Sequence, residues 1–319
     1  MLDLDAVLPQ ISREAALADY DRYLEAVSIE ALTQALFAIE AAGNEADLTE
    51  AGGARAAAMA IQALREETPF SLVRIGDGEG NILGALDPDF PAARQFSTRT
   101  ILEMMFGASD FSAREVQTIA EDMAAAILFA DVLGVSDHVR IGRLEVLRQA
   151  PEGREDVRGY MGSYESILQV SSLLHRTGSR PPIVVSNYVH RQMMALYGEV
   201  MRAARQVTLI GPYDLVQDIR QAFGVHRARA LLIPNQASSS PGEGAKWFPK
   251  SYDDLRTTLD AQPGELFFIS AGILGKGLCN HVKARGGVAL DIGSVVDVWI
   301  GKAVRNYHSA DFLARHRVA

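Results

Sequence analysis

Apolar positions in the first part of the chain recur at helical spacing: Leu32, Ala35, Leu36 and Ile39 form one stripe. Ser28, just ahead of it, is a suitable N-cap. Gly43, Asn44 and the pair Gly52-Gly53 then punctuate the chain, and an Ala-rich helix is expected over 54–65. Residues 1–66 read as a helical section with no convergent polar cluster, so packing or homo-oligomerisation is its expected role. From residue 70 the pattern changes to short β-rich runs alternating with helical ones. Strands are expected at 71–75, 182–186, 206–210, 230–233, 265–270 and 287–291. Helices are expected at 113–128, 164–175, 189–204, 216–223, 252–260 and 276–285. Several strand runs are almost continuously apolar, as strands buried on both faces must be. The pattern predicts an α/β fold with a mostly parallel sheet and helical crossovers. In such sheets ligands collect beyond the carboxyl ends of the strands, so the residues there carry the candidate chemistry. The Ser/Gly/Pro-rich stretch 235–249, with Trp247 and Phe248, reads as a mobile loop over a site.

Composition narrows the function. The chain has 319 residues, 48% of them hydrophobic, which is enough for a substantial core. Its 31 Lys+Arg against 40 Asp+Glu give a net charge of −9, arguing against bulk binding of nucleic acid or anionic lipid. A single cysteine, Cys279, excludes an internal disulfide framework and a multi-thiolate metal site. No apolar run reaches the roughly 18 residues of a membrane span, since Asp131 interrupts the best candidate, 124–135. The N-terminus, with Asp3, Asp5 and Glu14, lacks the basic and apolar regions of a signal peptide. A soluble, cytoplasmic protein is expected.

Four clusters stand at strand ends. The first is Arg74-Ile75-Gly76-Asp77-Gly78-Glu79-Gly80. Its glycines let a backbone turn and a ligand approach. Asp77 and Glu79 would repel a bare pyrophosphate, but two carboxylates suit Mg²⁺ or Mn²⁺ shared with substrate phosphates. A solvated acidic turn paired with Arg74 is the alternative. The second, Ser270 to Gly277, has the strand–turn–helix form that presents N–H groups to phosphate, with Lys276 adding charge. It is not a P-loop, because Gly277 replaces the Ser/Thr. An ordinary βα turn is the alternative. In the third, Asp291 to Trp299, Asp291 suits a sugar hydroxyl or a helix cap, and Asp297 a hydroxyl or a metal. Trp299 reads as core. In the fourth, Asn187 is a candidate N-cap and His190 falls in the first helical turn, where a neutral base is favoured. His281 is a weaker candidate.

The run Val73-Arg74-Ile75-Gly76-Asp77-Gly78-Glu79 resembles the Arg-x-Gly-Asp-Gly-Glu signature of the GT-D fold glycosyltransferases, bacterial enzymes that glycosylate surface proteins and polysaccharides. Ala130 to Val135, Leu209-Ile210-Gly211, Leu232-Ile233-Pro234 and Leu290-Asp291-Ile292-Gly293 with Asp297 continue the resemblance in order over 67–302. It implies a Rossmann-like core, a nucleotide-sugar donor (UDP-linked favoured) and a glycan, lipid-linked or protein acceptor. It further implies a divalent cation at Asp77 and Glu79. Arg74, Gly76 and Gly78 would belong to the donor pocket, joined by Asn187, Gly272, Lys276 and Asp291 from the other clusters. Ser294 stands where some relatives carry a histidine, so no role is carried to that position. The implied layout is a helical section 1–66, a catalytic domain 67–305 and a tail 306–319. Catalysis would fall to Glu79 and to a base drawn from His190 or Asp297. A metal-dependent phosphohydrolase and a non-catalytic nucleotide-binding scaffold are the competing classes.

Overall fold

The computed structural model describes residues 4–150, 156–238, 246–305 and 308–318. Eight strands form one parallel sheet: β1 (Glu45–Asp47), β2 (Phe70–Arg74), β3 (Val132–Val135), β4 (Ile183–Ser186), β5 (Gln206–Gly211), β6 (Ala228–Leu232), β7 (Glu265–Ile269) and β8 (Val288–Asp291). Their order is β1-β4-β3-β2-β8-β7-β5-β6. Strands β1–β4 therefore make one half and β5–β8 the other, and they meet at the β2/β8 pair, where Leu72 is in register with Leu290. This is the expected α/β architecture.

The sheet is buried on both faces by side chains that alternate along each strand. Val73, Leu133, Val184, Phe267 and Ile269 enter one apolar core. Leu72, Val132, Val185, Leu266 and Phe268 enter the other, with Trp299 among them as the sequence predicts. The first core is roofed by helices that include Ile29–Ala42, Pro91–Phe106, Ala113–Phe129 and Val157–Thr177. The second is covered by Ala51–Glu66, Tyr197–Ala203 and Val295–Trp299 among others.

The six predicted strands all form, within one or two residues. Two others were not predicted. β1 is polar and largely exposed at the sheet edge, so it carries no apolar signal. β3 follows the helix Ala113–Phe129 after only Ala130 and Asp131, and the joint apolar run hides the change of period. The expected helix 189–204 is two pieces, Val189–Gln192 and Tyr197–Ala203. Ser28 caps its helix as expected, accepting from the Ala31 N–H at 3.0 Å.

Residues 1–66 contribute to the same layers as the rest. β1 pairs with β4, and Ala56, Ala57 and Ala60 pack beneath the sheet. On the other face, Tyr23 donates to Glu165 Oε1 at 2.7 Å, while Arg94 Nη1 lies 2.6 Å from Glu165 Oε2. This buried triad ties the helix Arg13–Ala26 to the roof. At the other end, the tail helix Ala310–His316 is followed by Val318, whose N–H bonds the Trp299 carbonyl at 2.8 Å.

The glycine-rich run after β2 is a helix, Asp77–Leu83, not an open turn. Gly80 abuts Gly162 of the helix Val157–Thr177, and a Cβ at Gly80 would overlap the Gly162 carbonyl oxygen. Gly80 serves helix packing, not ligand approach. Gly80→Ala is expected to destabilise the fold by about 1–3 kcal/mol through overpacking. Gly142→Ala, in the helix His138–Arg148 with no atom near its added methyl, should stabilise by about 0.5–1 kcal/mol. Urea midpoints of the two variants check the contrast.

Candidate functional site

The carboxyl ends of the strands border a cavity of about 1060 Å³. Arg74, Gly76, Asp77, Gly78, Glu79, Asn187, His190, Gly272, Lys276, Asp291 and Asp297 all line it. The candidates from four separate sequence clusters thus share one cavity, while His281 lies outside its lining and pairs with Arg285 on its own helix.

At its floor four charges close on one another across the β2/β8 seam. Asp291, at the end of β8, is 2% exposed. Its Oδ1 accepts from Arg74 Nη2 at 3.1 Å and from the Gly293 N–H at 3.2 Å. Lys276 Nζ lies 3.0 Å from Asp291 Oδ2 and 2.5 Å from Glu79 Oε1, and donates to the Gly272 carbonyl at 3.1 Å. Two cations therefore face two carboxylates. Burial alone would raise the Asp291 carboxyl, but Arg74 and Lys276 outweigh it and hold it below the ordinary 3.8. Burial likewise works against the charge on Lys276, yet Asp291 and Glu79 keep its ammonium more firmly protonated than usual.

Local sequence makes this packing possible. Arg74 also donates from Nε to the Asp291 carbonyl at 2.9 Å and from Nη1 to the Asn187 carbonyl at 3.1 Å. Gly293, with φ +51°, passes so close that a Cβ there would overlap the Arg74 guanidinium. Gly76 is the N-cap of the helix Asp77–Leu83, and its N–H donates to Glu79 Oε2 at 2.9 Å. Gly78 is buried against Ile101.

This arrangement alters several expected roles. Asp77 and Glu79 are the first and third residues of a helix, and positions two apart do not face each other. Glu79 is already engaged by Gly76 and Lys276. Among the described residues no three His, Cys, Asp or Glu side chains gather into a group able to hold a metal. Glu79 is thus the counter-ion of Lys276. Asn187 is not a helix cap: Tyr188 precedes the helix, and Asn187 Nδ2 donates to the Ile75 carbonyl at 3.3 Å. Trp247 lines the cavity while packing on Tyr252, and Phe248 is buried against Tyr252 and Phe111. Residues 239–245 of the expected loop lie outside the described residues.

The two base candidates separate here. His190 is buried, with Nδ1 2.8 Å from Arg74 Nη1. Nδ1 also lies 3.1 Å from the Asn187 carbonyl, which only accepts whereas the guanidinium only donates, so the ring tautomer follows whichever of the two neighbours it serves. Burial first, then the Arg74 charge, pushes the His190 pKa well below 6.5. The ring is held neutral between these two neighbours. Asp297 differs: burial raises its carboxyl above 3.8, and Tyr213 Oη donates to its Oδ1 at 3.1 Å. Asn235 Nδ2 in turn bonds Tyr213 Oη at 3.1 Å. Neither Tyr213 nor Asn235 was singled out from sequence, though Tyr213 follows the end of β5 by two residues, where ligand residues of such sheets gather.

No family model and no curated protein matches the chain. Two solved structures are similar in part. One is a selenomethionine-substituted domain of unknown function 1792 (12% identity, 82% of this chain and 88% of that one, TM-score 0.43). The other, at 13% identity with the same coverage and TM-score, is described as that highly conserved domain with a distinct glycosyltransferase fold.

The depressed His190 pKa has a consequence for stability. A neutral histidine buried in the fold takes a proton more readily when unfolded, so its contribution is intact above the ordinary 6.5 and is lost as pH falls below it. Urea unfolding from about pH 7 to about pH 5 should show stability falling by up to about 1.4 kcal/mol per pH unit from this one group. His190→Gln, which can still accept from Arg74, should flatten that dependence by the same amount.

Proposed function

We propose that the chain is a glycosyltransferase that moves a sugar from a nucleoside-diphosphate sugar, with uridine diphosphate as the first choice of carrier, to an acceptor hydroxyl. The reading is supported by the Arg-x-Gly-Asp-Gly-Glu run, whose residues border a cavity large enough for such a donor. The observation that carries it is Asp297, a half-buried carboxylate that lines that cavity, accepts from Tyr213 Oη and has its pKa raised by burial. A raised carboxyl is better matched to accepting a proton near neutral pH than an ordinary one.

In this reading Asp297 takes the hydroxyl proton as the acceptor oxygen attacks the anomeric carbon and the nucleoside diphosphate departs. Tyr213 is a positioning residue that fixes one carboxylate oxygen of Asp297. Arg74, Asp291, Lys276 and Glu79 give the cavity a rigid, self-neutralised floor that requires no reorganisation during the reaction. Gly272, with φ +54°, turns the chain so that the helix Gly275–Ala284 starts beside that floor. Where a divalent cation is bound, Asp77 and Glu79 would be the residues to hold it, and it would supply charge neutralisation for the departing diphosphate.

Turnover of a uridine-diphosphate sugar with an alcohol acceptor tests the reading. Asp297→Asn should cost on the order of 10²–10⁴ in kcat, the usual contribution of a general base, while binding of uridine diphosphate persists. Wild-type activity should decline as pH falls through a pKa above 3.8, because the base must be ionised. The Tyr213 hydrogen bond lowers that pKa, so Tyr213→Phe should move the acidic limb to higher pH. Full turnover by Asp297→Asn would remove the assignment, and free sugar released irrespective of acceptor would point to hydrolysis.

A further inference from the structure

The floor of the cavity binds no anion by bulk charge, since its two cations are balanced by two carboxylates. Two further arginines lie to one side, beyond the end of β3. There Arg140 and Arg143 line the cavity from the first turns of the helix His138–Arg148. They are three residues apart and so share a helix face.

Among the described residues neither is paired with a carboxylate. Arg140 is held by a neutral group: its Nε and Nη2 donate to Ser163 Oγ at 3.2 and 2.6 Å. Ser163 Oγ gives its own proton to the Gly159 carbonyl at 2.8 Å, so it orients the guanidinium without neutralising it. Arg143 is exposed and makes no ion pair among the described residues. Asp137, which also lines the cavity, accepts from the Arg140 N–H (2.9 Å) as helix cap and from Ser186 Oγ (2.8 Å), leaving both guanidinium forks outside ion pairs among the described residues. The positive end of the helix dipole adds to the same field.

We infer that Arg140 and Arg143 form a phosphate subsite, with Ser163 fixing Arg140 so that its remaining N–H groups meet the phosphate oxygens. A guanidinium fork matches phosphate geometry, and two of them balance a doubly charged group. Its assignment to a substrate phosphate rests on the transfer reading; anion binding as such does not. The phosphate comes either from the donor's diphosphate or from a phosphorylated acceptor, and competition separates the two.

The test is calorimetric titration of inorganic pyrophosphate into the full chain. Arg140→Gln/Arg143→Gln should weaken binding at least about tenfold, given the strength of charge-assisted pairs. Arg143→Gln alone, at a side chain with no described partner, should weaken it several-fold without affecting the fold. Arg220→Gln, on the exposed helix Val216–Phe223, should bind as wild type does. Displacement of pyrophosphate by uridine diphosphate identifies the donor's phosphates as the occupant, and simultaneous binding identifies a phosphorylated acceptor. No measurable binding by wild type, or equal binding by wild type and the double variant, overturns the subsite. Equal loss in Arg220→Gln does the same. If pyrophosphate binds as described but no sugar is transferred, the subsite stands and the transfer reading falls.

Discussion

A buried carboxylate shared by two cations organises this molecule. Asp291 ends β8, Arg74 ends β2, and Lys276 belongs to the helix after β7, so their contact locks the two halves of the sheet at one seam. Desolvating four charges costs several kcal/mol for each ion unless each finds a partner. The quartet meets that demand with near-complete pairing, the Gly76 N–H completing Glu79 and the Gly272 carbonyl completing Lys276. Removing any member would leave a buried charge uncompensated, so the four positions are energetically one unit.

The same closure decides how the cavity works. A neutral floor neither attracts nor repels a diphosphate at range; it supplies fixed dipoles and a rigid boundary. On the proposed reading chemistry falls to groups outside the quartet. Asp297, softened toward protonation by burial, lies on the β5/β8 side with Tyr213. Arg140 and Arg143 lie on the β3 side. A substrate that spans the cavity would meet charge recognition at one end and proton transfer at the other.

Much of the architecture was legible from sequence because strands buried on both faces are nearly continuous apolar runs, as in Leu266–Ile269 of β7. Their ends pointed correctly to the residues that line the cavity. What failed to show was set by tertiary partners. β1 is an edge strand with polar side chains, and nothing local marks it. The Asp-x-Glu pair read as part of a glycine turn, yet Gly80 packs on Gly162 and the run is helical from Asp77 onward. His190 read as a base, but only the fold brings Arg74 to its Nδ1. Arg140 and Arg143 were unremarkable as letters, since only the fold shows that both line the cavity and that Ser163 holds Arg140.

The central claim is that the quartet acts as one unit across the seam. A double-mutant cycle of Glu79→Gln and Lys276→Gln, measured by urea unfolding, tests it most directly. The account predicts strong coupling, with an interaction energy of about 2–3 kcal/mol and a double variant less destabilised than the sum of the singles. Effects that add to within about 0.5 kcal/mol would contradict it.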